Sequence, residues 1–88
     1  MLYEIENLDA ARQFLQQYKG QVVLSNPDGS TKYYGMQVLD YIFQVLKEEF
    51  PEKVEQILVN VFDDYAAFIT ARKLGYSHIS YHMRESRH

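Results

Sequence analysis

Seven residues carry side chains suited to chemistry and fall where predicted strands end: Asn26, Asp28, Ser30, Thr31, Asp63, Asp64 and His82. In an open α/β sheet such a rim, beyond the carboxyl ends of the strands, is where ligands bind. The adjacent carboxylates Asp63 and Asp64 have the hard oxygen donors that Mg²⁺ takes. A His beside a carboxylate has the pairing of a general base. The loop Ser25–Thr31 could cradle an anion at a helix N-terminus. Each residue also has a plainer use. Asp63 is expected to cap the following helix, accepting a backbone N–H one to three residues on. Asp28 belongs to the turn Asn26-Pro27-Asp28-Gly29, and Ser30 or Thr31 suits a cap or turn. The loop lacks the Gly-Lys-Ser/Thr ending of a P-loop and has one Gly where a dinucleotide fingerprint needs three. His78 and His82 share a strand face but lie too far apart for one metal. No metal site and no cofactor are expected.

The elements that would position this rim alternate. Asn7 is a good N-cap, and Leu8, Ala11, Leu15 and Tyr18 follow at helical spacing, so residues 7–19 are predicted helical, closing at Lys19-Gly20. Residues 2–5 read as a short extended lead-in. Gln21 to Ser25 is a β-branched run bounded by turn residues and reads as a strand. Residues 26–34 admit two readings, a hairpin returning through Ser30–Tyr34 or a strand-to-helix loop. A helix then runs to Phe50, with Gly35, Leu39, Ile42 and Leu46 on one face, and stops at Pro51. Val54 to Phe62 is a near-continuous apolar strand of the kind found mid-sheet. Asp63 to Leu74 reads as a helix with Ala67, Phe68, Ala71 and Leu74 buried, and Tyr76 to Tyr81 as the last strand. The αβαβαβ order predicts a small single α/β domain over residues 1–82. It has a three-stranded, mainly parallel sheet with the helices mostly on one face, and residues 83–88 read as a flexible polar tail.

Strand alternation divides the sheet into a dry face and a mixed one. Ile57, Val59 and Val61 point one way. Gln56, Leu58 and Asn60 point the other, with Val23, and Tyr76, His78 and Ser80 share a mixed face of the last strand. Gln56, Leu58, Asn60, Tyr76, His78 and Ser80 are therefore candidate interface residues. Either helix 7–19 lies across this face, or a partner does. Eight Tyr and five Phe in 88 residues add amphipathic area of the kind interfaces favour.

The second strand, the Asp pair, the Ala-rich helix, Gly75 and the last strand together resemble a unit common in small bacterial Rossmann-like chains and in barrel repeats. Fold likeness of this kind leaves function open. Composition narrows the classes. Nine Lys and Arg against twelve Asp and Glu give a net charge of −3, with no basic stripe for nucleic acid. No segment reads as a signal peptide or a membrane span. A chain this small with no Cys suits a reducing cytoplasm better than secretion. The expectation is a small cytosolic, non-enzymatic interaction or regulatory module that self-associates as a homodimer. The alternative is a small enzyme or an anion- or metal-binding protein working at the strand-end rim.

Overall fold

The computed structural model describes residues 1–81, so His82 and the predicted tail at 83–88 lie outside the described residues. Along the chain run β1 (Leu2–Glu4), α1 (Leu8–Gln17), β2 (Val22–Ser25), α2 (Ser30–Tyr34) and α3 (Met36–Glu49). Then come β3 (Val54–Ile57), β4 (Val59–Phe62), α4 (Tyr65–Lys73) and β5 (Ile79–Tyr81). The expected small α/β domain is present, and every strand pairing is parallel. The order is β1-β2-β3 in a three-stranded sheet and β4-β5 in a two-stranded one.

Two details of the strands differ from expectation. The extended lead-in is a paired edge strand. The run Val54–Phe62 divides at Leu58 because its two sides find different partners. The Leu58 N–H donates to the Leu24 carbonyl at 2.8 Å, and the next N–H, of Val59, donates to the His78 carbonyl at 2.9 Å. Below Leu58 the run pairs with β2, and above it with β5. The two sheets thus meet in one central run, and the strand order across them is the order of the chain.

That sequential order has a consequence for layering. Each parallel crossover is almost always right-handed. When every crossover steps in the same direction, every connecting helix falls on the same side. The contacts agree: α1 meets α3, and α3 meets α4. Arg12 of α1 holds Glu49 of α3 through two hydrogen bonds, 2.9 Å from Nε and 2.6 Å from Nη2. On the helix side Ile5, Val22, Leu24, Val59 and Val61 are buried against Ala11, Leu15, Leu39, Phe43, Leu46 and Ala71. Tyr3 stacks on Phe14, and Tyr81 packs on Phe68. Helix α1 therefore belongs to the helix layer and does not lie across the mixed face.

Residues 26–34 form a strand-to-helix loop followed by α2, and the hairpin reading is overturned. Lys32–Tyr34 is helical, and Gly29 at φ 83° supplies the left-handed turn that starts the helix. Gly35, expected on the buried face of the next helix, instead separates α2 from α3 at φ 90° and ψ 146°. That conformation is nearly confined to glycine. The buried face of α3 is consequently Met36, Leu39, Phe43 and Leu46, while Val38 and Tyr41 are exposed. In α4 Ala67 and Ala71 are buried as expected, but Leu74 follows the helix end and is exposed.

Candidate functional site

The rim residues at the carboxyl ends of β2 and β4 converge, and they converge on each other. Asn26 is fully buried just past β2. Its Oδ1 accepts the Asn60 N–H at 2.9 Å, and its Nδ2 donates to the Asn60 carbonyl at 2.7 Å. An amide side chain has the donor and acceptor spacing of a peptide group, so Asn26 extends the ladder one step beyond the end of β2. Asn60 reciprocates, its Nδ2 donating to the Asn26 carbonyl at 3.1 Å and to Asp28 Oδ1 at 2.7 Å. The second Asn26 donor reaches Ser30 Oγ at 2.7 Å, and that hydroxyl donates to the Pro27 carbonyl at 2.7 Å.

The carboxylate pair divides its work. Asp64, not Asp63, is the N-cap of α4. Its Oδ1 accepts the Ala67 N–H at 3.1 Å, and its Oδ2 accepts the Thr31 hydroxyl at 2.8 Å. The shift by one residue follows from Phe62, which turns the chain at φ 34°. The Asn60 Oδ1 accepts the Phe62 N–H at 3.1 Å and holds this turn. Asp63 instead pairs with Lys32 at 3.1 Å. The hydroxyls and amides of this rim thus hold α2 and α4 onto the strand ends. No buried side-chain polar atom among the described residues lacks a hydrogen-bond partner. The described residues contain no group of three His, Asp or Glu placed to hold a metal ion.

An open cleft of about 430 Å³ lies at the opposite end of the sheet, between β3 and the segment that enters β5. Gln56, Tyr76 and His78 from the candidate interface line it, with Gln44 and Lys47 of α3. Tyr76 is half-buried there. Its hydroxyl donates to Asp40 at 2.5 Å and accepts from Gln44 Nε2 at 3.1 Å. Burial raises the Tyr76 pKa, and its hydrogen bond to Asp40 raises it further. This lock joins residues 36 apart, beyond the reach of any helical or strand period.

Apart from Tyr76, the candidate interface residues lie on the face away from the helices, Gln56 and His78 where it meets the cleft. Gln56, Leu58, Asn60 and Ser80 are half-buried there, and His78 is exposed. Val23 joins them, aligned with Gln56. Among the described residues no helix packs on this face. Asn60 is the exception in function, since its amide is engaged by Asn26 and Asp28. No described helix is long and apolar enough to cross a membrane.

No family model matches the chain, and no solved structure matches it. The chain is similar to "Uncharacterized protein RP547" of Rickettsia prowazekii (strain Madrid E). The two are 52% identical over 80 residues, covering 91% of this chain and 76% of that protein. At that identity over that coverage, the chain belongs to the same family as the rickettsial protein RP547.

Proposed function

We propose that the protein is a cytoplasmic, non-enzymatic interaction module that acts by pairing with a second copy of itself through the sheet face opposite its helices. The observation that carries this reading is the one-sided layering. A parallel sheet normally has both faces covered, and this one has helices on a single side. Its free face has an apolar centre of Val23 and Leu58 beside Gln56 and Ser80, a composition suited to an interface with a polar margin. An 88-residue chain also has limited core of its own and gains from area buried against a partner.

The rim supports the alternative less well. Asn26, Ser30, Thr31, Asp64 and Asn60 already satisfy one another, and a ligand there would have to displace bonds that hold α2 and α4 in place.

Light scattering over a range of concentrations tests the proposal. The expected result is a mass rising from that of a 10.4 kDa chain toward twice that value. Leu58→Glu should hold the mass at the lower value while leaving the circular dichroism spectrum unchanged. A constant monomer mass for the unaltered protein up to high concentration overturns the reading.

A further inference from the structure

Resting on that self-association, we infer its orientation: the two copies face each other about a two-fold axis parallel to the strands, with Glu4 of each chain against His78 of the other. The register carries the argument. Glu4 aligns with Ser25, Leu24 with Ile57, and Val59 with Ile79. One step along each pair places Glu4, Ser25, Leu58 and His78 in a single row across the sheet. The backbone bonds from Leu58 to Leu24 and from Val59 to His78 hold that row together. All four point away from the helices, since each neighbours a residue packed against them: Tyr3, Leu24, Val59 and Ile79.

The row has a carboxylate at one end and an imidazole at the other, with the shorter side chains of Ser25 and Leu58 between them. Glu4 and His78 are exposed at opposite edges, Ser25 is buried, and Leu58 is half-buried. Two arrangements can put this row against its own copy. With the axis parallel to the strands, every height along the strands is preserved and left and right exchange. Glu4 then faces His78, twice. With the axis across the strands and through this row, Glu4 faces Glu4 and His78 faces His78. Packed sheets lie about 10 Å apart, a gap that two long side chains reaching toward each other can bridge. A carboxylate accepts from imidazole whether that ring is neutral or cationic, whereas two carboxylates at close range repel. Charge complementarity therefore selects the first arrangement. It also sets β1 of each copy beside β5 of the other, running in the same direction.

The chain has no Cys, so single thiols report on this geometry without background. Glu4→Cys and His78→Cys proteins are prepared separately, mixed, and treated with a short bis-maleimide at a concentration where light scattering shows a dimer. Using two separate chains excludes a link within one molecule. The expected result is a cross-linked dimer in the mixture at several-fold higher yield than in either variant alone, lost when Leu58→Glu is added to both. Efficient linking of Glu4→Cys to itself overturns the orientation while leaving self-association standing. So does a dimer in solution with no linking in any sample. A monomer at every concentration removes the reading beneath it as well.

Discussion

An amide side chain has two donor hydrogens and an acceptor oxygen, and buried Asn26 uses all three. It bonds both backbone groups of Asn60 and the hydroxyl of Ser30. Truncation to Ala leaves the Asn60 N–H without its partner in a partly buried setting. Asn26→Ala should therefore cost about 3 kcal/mol, read as a lower urea midpoint, because unmatched buried groups cost more than matched ones contribute. Tyr76 makes a prediction with a pH signature. Its folded pKa lies above the ordinary 10.0 through burial and its bond to Asp40. A group raised on folding contributes stability that is full below its unfolded pKa and declines as pH rises toward the folded one. Wild-type protein should thus lose, above about pH 10, an advantage that Tyr76→Phe never had. Denaturant melts of the two proteins at neutral and alkaline pH measure the difference, and a gap that stays constant across that range contradicts the assignment.

At the scale of elements, Gly35 decides whether residues 30–49 form one helix or two. A side chain there would meet no atom within 4 Å, so the obstacle to substitution is its backbone conformation alone. Gly35→Ala should cost about 1–3 kcal/mol, the usual strain for a residue forced into that region. If thermal melts show no loss, the hinge is relaxed by joining α2 to α3. The hydroxyl of Thr31 in α2 donates to Asp64 at 2.8 Å, a contact that ties the short helix to the N-cap of α4. The helix ends illustrate how much of this was legible. Asn7 caps α1 as its position suggests, accepting the Ala10 N–H at 2.8 Å. Asp63 looked equally good for α4 but was displaced by one residue. Phe62 has a positive φ, and nothing in the type of that residue announces it.

Across the whole molecule, two neighbouring positions on the central run should respond oppositely to the same charge. Val59 is fully buried on the helix side, and Leu58 faces away from the helices. Val59→Glu places a carboxylate in a core with no partner and should leave the chain unfolded by circular dichroism. Leu58→Glu should remain folded and lose only its association. Unfolding by both would mean that the face opposite the helices is part of the monomer's core.

The alternation of helix and strand, the cap at Asn7 and the two-faced character of the strands were all set by the sequence alone. Each depends on contacts within a turn or on the period of two along a strand, and such contacts are present whatever the rest of the chain does. Strand order was not set that way. It came from which strands found each other, and with it came the placement of every helix on one side and the exposure of the mixed face. The pairings that build the rim and hold the helices are of the same kind. Asn26 with Asn60, Asp40 with Tyr76, and Arg12 with Glu49 join residues 34, 36 and 37 apart. No local pattern encodes such distances. They exist because each crossover carries the chain back to the same end and the same side of the sheet, which brings distant polar residues of strands and helices together.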